Sequence, residues 1–375
     1  MDFACAARKR YLVLGNGKVF GGFAFGADLP VTGEVVFATN MSGFTESVTD
    51  PNYEGQIVVQ TFPLIGNTGI NPAHFESRTR AKGYIVREWC QSPSHFTCMG
   101  TLDTFLAQCG VPGLWGADTR ALTKLVRSEG AMNGMLADDP AQVDLEALKA
   151  YDIGDAVTRV STPEPVLYPA ENAQFKVVLW DFGMKAGMVK ALREKGCDVL
   201  AVPHNWTAEQ VLAEKPDGIL LSGGPGNPAR YQAIVEEIRK LPDTGIAVFG
   251  VGLGHQLLAL ANGGGIEKLK YGHRGGCSVK ELATGRTLIT SQNHGYAVAM
   301  DKLPAGAKAS FVNADDGTCE GLDYEGVDVF SVQFDPVACW RPNGEGDLTG
   351  RFIANMQTFH SMQTFHSIRR AASCL

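Results

Sequence analysis

Residues 250–256 read GVGLGHQ, between the apolar run Ile246-Ala247-Val248-Phe249 and the segment LLALANGGG. A strand, a Gly-x-nucleophile-x-Gly turn and a helix form the pattern of a nucleophile elbow. Such a turn sets its central residue at a helix N-terminus, where the dipole favours an anion and draws a thiol towards thiolate. The central residue here is Gly252, which has no atom to attack with. Glycine accepts a positive φ without penalty, so the turn is expected to form and to shed strain on the order of 1–3 kcal/mol. A second Gly-rich turn, LSGGPGNP, fills 221–228. Free amides at such a turn and at a helix N-terminus suit developing negative charge. His255, three residues past Gly252, falls on the helix after the elbow. Cys277, in GHRGGCSV, and Cys339 read as small structural residues. The hexapeptide MQTFHS occurs twice in tandem, at 356–361 and 362–367, and is read as a local duplication extending a final helix or a tail. His360 and His366 fall six residues apart, on different helix faces, which speaks against a shared metal.

The elements that must position these turns alternate. KVVLWDFG (176–183), DVLAVP (198–203), GILLSGGPGNP (218–228) and GIAVFGVG (245–252) are strands running into turns, and KAGMVKALREKG (185–196) is an amphipathic helix ending in glycine. This order predicts an open, largely parallel α/β sheet flanked by helices, with its chemistry at the carboxyl ends of the strands. Both Gly-rich turns lie at such ends. The first ~150 residues form a smaller, β-rich α/β domain in this reading. YLVLGNGKVFGGFAFG (11–26) makes two strands around a Gly-Asn-Gly turn, with further strands at 34–39, 56–63 and 83–88. A helix at 118–131 carries Leu122 and Val126 on one face and stops at Gly130. Residues 151–174 hold three prolines without a period and are read as a linker. The expected division is therefore 1–150, linker 151–174, 175–360 and a tail 361–375.

Length and composition agree with two globular domains: 375 residues, 45% hydrophobic and 19% charged. A net charge of −7 argues against nucleic acid as a partner. No apolar stretch approaches the roughly 18–20 residues of a membrane span. The N-terminus MDFACAARKRYLVLGNG has the wrong order and length for a secretory signal. Nine cysteines without a Cys-x-x-Cys pair speak against a disulfide framework or a zinc site, and a cytoplasmic location is expected.

LSGGPGNP (221–228), GVGLGHQLLAL (250–260) and SQNHGYAV (291–298) resemble, in order, the motifs of class I, triad-type glutamine amidotransferase domains. GEVVFATNMSGFTESVTDPNYEGQIVVQTFPLIGNTGIN (33–71) and DTRALTKLVRSEGAMNG (118–134) resemble the N-terminal domain of the carbamoyl-phosphate synthetase small subunit. The resemblance runs over roughly 10–357. It implies glutamine hydrolysis and delivery of ammonia to a large subunit that makes carbamoyl phosphate for pyrimidine and arginine biosynthesis. ATP and magnesium would belong to that large subunit, and this chain is expected to carry no cofactor or metal of its own.

The resemblance also assigns positions. The triad would be Cys, His and Glu, but Gly252, Asp335 and Val337 occupy those places, the last two in SVQFDPVA (331–338). Losing such a nucleophile costs on the order of 10⁴–10⁶ in rate. A carboxylate at Asp335 would be a poor base and would raise the pKa of any thiol beside it. The binding half is retained. Gly224 and Leu253 amides would form the oxyanion hole, with Gly226 in the same turn. Gln256, Asn293, and the backbone of Gly295 and Tyr296 would meet glutamine, and Asn40 stands where the family usually has serine. His255 and His294 match positions where the imidazole is not catalytic. Three readings stay open at this point: a glutaminase-deficient small subunit, an ordinary one whose sequence carries altered codons, and a non-enzymatic glutamine-binding scaffold or regulatory module.

Overall fold

The hairpin around Asn16 forms as β1 (Lys9–Leu14) and β2 (Val19–Gly26), antiparallel with Val13 opposite Val19. The computed structural model describes residues 8–340 and 347–358. Two compact units result, one of Met1–Ala156 with Leu269–Gly275, the other of Val157–Lys268 with Gly276–Leu375.

In the first unit the chain continues through β3 (Val31–Ala38), α1 (Phe44–Val48), β4 (Gln56–Gln60), β5 (Leu64–Ile65), β6 (Gly83–Val86) and β7 (Glu88–Trp89). It ends with α2 (Leu102–Gln108), β8 (Pro112–Trp115), α3 (Thr119–Glu129), β9 (Met132–Ala137) and α4 (Leu145–Lys149). Seven strands close a barrel in the order β1-β2-β8-β6-β4-β3-β9. β4, with sequence QIVVQ, runs parallel to both neighbours and is buried at all five positions, as a strand covered on both faces must be. α3 begins where Asp118 accepts the Ala121 amide and ends at Gly130, whose φ of 103° no side chain tolerates well. Its Leu122 and Val126 pack on Leu12, Val35, Ile57 and Ile85, each fully buried and each stabilising by roughly 1.5–3 kcal/mol.

The second unit opens with α5 (Val157–Val160) and β10 (Val166–Tyr168), both inside the stretch read as a connector. The parallel centre is β11 (Phe175–Asp181), β12 (Cys197–Pro203), β13 (Gly218–Leu221), β14 (Ala247–Val251) and β19 (Val329–Val332), with β10 antiparallel along β12. Its helices are α6 (Ala186–Glu194), α7 (Ala208–Ala213), α8 (Gln232–Ile238) and α9 (Leu253–Ala261). β15 (Ile266–Glu281), β16 (Thr287–Val298), β17 (Ala307–Asn313), β18 (Cys319–Tyr324) and β20 (Asp335–Trp340) extend the sheet to eleven strands, in the order β10-β12-β11-β13-β14-β19-β18-β17-β15-β16-β20.

Alternation along β11 builds two cores. Val178 and Trp180 join Ile219, Leu221 and Val248 under α7, α8 and α9. Val177 and Leu179 join Leu220 and Phe249 under α6 and the helical residues 348–358, where Phe352 and Met356 are fully buried. With both faces covered, the ends of β11, β13 and β14 are where the sheet can present backbone to a ligand. Most of the duplicated MQTFHS tract, with His360 and His366, lies outside the described residues.

Candidate functional site

Gly252 joins β14 to α9 at φ 55° and ψ −110°, the conformation an elbow requires and one an L side chain rarely adopts. Its amide donates to Val332 O at 2.9 Å, pinning the turn to β19. A Cβ built there would meet Gly223 Cα at 3.3 Å and Gln333 O at 3.8 Å. The elbow is thus formed, and glycine holds it without strain.

Beside it lies the turn after β13. A Cβ on Gly224 would fall 2.2 Å from Phe182 O and 3.0 Å from Leu253 Cδ2, so only glycine fits between the β11 turn and α9. Leu253 is the first residue of α9, and its amide has no intrahelical acceptor. Among the described residues neither the Gly224 nor the Leu253 amide donates to a backbone carbonyl. These are the two donors expected of an oxyanion hole. Gly226, at φ 97°, turns the chain towards Asn227, which caps the following short helical turn.

Asp335 stands at the position where the base was expected. Asp335 Oδ2 pairs with Lys185 Nζ at 3.1 Å, and the two side chains are 15% and 21% exposed. Asp335 Oδ1 accepts the amides of Val337 at 3.0 Å and Ala338 at 3.2 Å. The carboxylate is therefore held by an ammonium and by its own turn. Val337 is 41% exposed and carries no group that could orient an imidazole.

Gln256, on α9, donates its side-chain NH2 to Tyr296 O at 2.7 Å and to Gln333 Oε1 at 2.9 Å. Both hydrogens are used, and the carbonyl oxygen takes no part in these two bonds. Asn293, Gly295 and Tyr296 are half-buried along β16. The His294 ring spans Tyr296 O and Gln292 Oε1, each at 2.8 Å, so it braces the strand that carries these residues. Asn40 belongs to the first unit, half-buried after β3, next to Thr39, whose hydroxyl donates to Arg274 O at 2.8 Å.

Among the described residues, His255 and Cys277 do not fit the roles of base and nucleophile. His255 is completely buried, its Nδ1 2.8 Å from Ser331 Oγ, and burial pushes its pKa down to about 3, so the ring is neutral. Burial, then the nearby Glu320, Asp315 and Asp316, push the Cys277 thiol up to about 12, far from a thiolate. The side chain of Cys339 is outside the described residues. Cys90, Cys98, Cys109, Cys197, Cys277 and Cys319 are free thiols. Sequence reasoning missed Lys185, Gln333 and Ser222. The one available signal was position: Lys185 and Ser222 follow strands β11 and β13 at the carboxyl edge of the sheet.

Residues 12–136 match the carbamoyl-phosphate synthase small chain, CPSase domain, and residues 178–354 match glutamine amidotransferase class-I. A carbamoyl phosphate synthase small chain from Symbiobacterium thermophilum is 46% identical, aligned over 90% of this chain and 96% of its own. Those from Fusobacterium nucleatum and Bacillus cereus are each 44% identical, over 92% and 94% of this chain and 98% and 97% of theirs. With both domains in order, and near full-length identity of this size, the chain belongs to the carbamoyl phosphate synthase small-chain family.

Proposed function

We propose that this chain is a small subunit that binds glutamine without hydrolysing it. It would serve a large synthetase subunit as scaffold or regulator, or leave that subunit to use free ammonia. The observation that carries the reading is the contrast within one site. The elbow holds its shape at Gly252 with no side chain, and the carboxylate at Asp335 is occupied by Lys185, while the Gly224 and Leu253 amides have no backbone acceptor and are open to a carbonyl oxygen in this reading. Covalent acyl transfer from an amide by a triad needs a nucleophile, a base to activate it and a group to orient the base. A place in carbamoyl phosphate synthesis for pyrimidines and arginine, and a cytoplasmic location, belong to the same reading. No helix among the described residues is long and apolar enough to cross a membrane.

The test is glutamate release by the purified chain, alone and with a synthetase large subunit, together with calorimetry of glutamine. Binding without turnover is expected. Turnover comparable to a hydrolysing small chain would refute the proposal. The retained cradle also fits a glutamine-binding scaffold with no synthetase partner. Stoichiometric co-purification of a large subunit would rule that second reading out.

A further inference from the structure

Ser222 closes β13 and begins the Gly-rich turn, and it is 4% exposed. Its backbone N–H donates to Trp180 O at 3.1 Å, tying it to β11, and its carbonyl accepts the Gly254 amide at 3.0 Å in the first turn of α9. Its hydroxyl makes two further bonds. Ser222 Oγ accepts the Phe182 amide at 2.8 Å and donates to Gly223 O at 2.8 Å. One buried residue thus joins the β11 turn, the Gly-rich turn and the start of α9.

The bond to Gly223 O has a directional consequence. Gly223 C=O and Gly224 N–H belong to one peptide unit, which is planar and trans, so the two groups point in opposite directions. A hydroxyl that grips the oxygen on one side aims the N–H to the other. Neighbouring glycines have no side chains to resist rotation of this unit. Around Gly224 the space is narrow, since a Cβ there would fall 2.2 Å from Phe182 O and 3.0 Å from Leu253 Cδ2, but this limits the α-carbon and not the rotation of the peptide. On the other arm, a Cβ on Gly254 would lie 2.3 Å from Leu221 O, so the start of α9 is seated directly on the end of β13.

We propose that Ser222 is a positioning residue: its hydroxyl fixes the Gly223–Gly224 peptide so that the Gly224 N–H faces the side-chain carbonyl of a bound glutamine. This rests on the glutamine-binding reading above. Ser222 does not touch the ligand. It acts through the peptide, and through Gly254 it keeps that donor in register with the Leu253 amide.

The test compares the full chain with Ser222→Ala. The probes are [5-13C]glutamine, whose carbonyl resonance reports hydrogen bonding, and L-norvaline, which has the same carbon skeleton without the amide. In the wild type the bound carbonyl is expected downfield of the free amino acid. In S222A that displacement should collapse and glutamine affinity should fall about tenfold, the scale of one lost hydrogen bond. Norvaline affinity should not change. Equal losses for both amino acids, or a wild-type carbonyl shift in S222A, would overturn the inference. If S222A does not fold, the isosteric pair S222T and S222V repeats the comparison, with Thr expected to keep the shift and Val to lose it. Failure of the wild type to bind glutamine at all would overturn the underlying reading, a result distinct from glutamine binding that S222A leaves untouched.

Discussion

Acidifying the protein should expose the cost of burying His255. The imidazole is wholly inside the second unit, with Nδ1 on Ser331 Oγ and no protein partner for Nε2 among the described residues. Burial moves its pKa from 6.5 down to about 3. As pH falls through 6.5 the unfolded chain takes up a proton that the folded ring refuses. The stability is therefore complete above 6.5 and is lost progressively towards 3. Between pH 7 and pH 5 the unfolded ring goes from about one quarter to nearly fully protonated, while the folded ring stays neutral. Integrating the two titrations gives a loss of about 2 kcal/mol from this side chain alone. pH 5 lies well above the folded value, so the figure depends mainly on the unfolded one. Urea unfolding at both pH values, followed by tryptophan fluorescence, measures the loss, since Trp180 is fully buried in the same unit. His255→Gln supplies the control, because an amide of similar size stays neutral throughout and can still meet Ser331. Other titrating groups cancel in the comparison. The wild type should lose about 2 kcal/mol more than the variant on going from pH 7 to pH 5. Equal losses would mean that the ring is charged, or hydrated, in the folded protein.

Gly252→Cys alone should release no glutamate and should cost roughly 1–3 kcal/mol, because it places a side chain at φ 55°. Adding Asp335→His and Val337→Glu should bring back measurable hydrolysis, and turnover by the single variant would show that the base has been misassigned. Gly224→Ala puts a methyl 2.2 Å from Phe182 O, so the turn must move, and glutamine affinity by calorimetry should drop at least about tenfold. Wild-type affinity in that variant would remove this turn from the ligand site. Asp335→Asn removes a carboxylate that pairs with Lys185 in a partly screened place and should destabilise by about 1–2 kcal/mol. The destabilisation should shrink in 0.5 M salt, and a salt-independent loss would point to the turn hydrogen bonds instead.

The sequence displayed the parts of this fold that local physics determines. The β1–β2 hairpin, α3 between Asp118 and Gly130, and the strand-to-elbow passage at 246–256 each carry a period bounded by a cap or a glycine. Other parts have no local signature. β10 is three residues long, sits among prolines, and exists because it can pair along β12. β15 runs for sixteen residues, and seven of its residues, 269–275, go with the first unit, a division that no composition change marks. In the site, the bare elbow was visible, because Gly252 carries no side chain. The fate of Asp335 was not, since its cation lies 150 residues away along the chain.

The form of the turn, by contrast, is set without Asp335. The elbow is held by Gly252 N to Val332 O and by the seating of α9 on β13, bonds made entirely by backbone. The cores beneath it come from β11, β13, β14 and their helices, and none of their members is Gly252, Asp335 or Val337. Those three positions therefore add nothing to the buried cores, and glycine at the turn avoids the strain of a side chain at φ 55°. The two amides are set in the same way: Gly224 is dictated by the approach of Phe182 O, and the Leu253 amide by the start of a helix. The turns are thus set by atoms other than the side chains at 252, 335 and 337, so the proposed loss of cutting need not disturb the proposed binding, to which Gln256 and Ser222 bring side chains of their own.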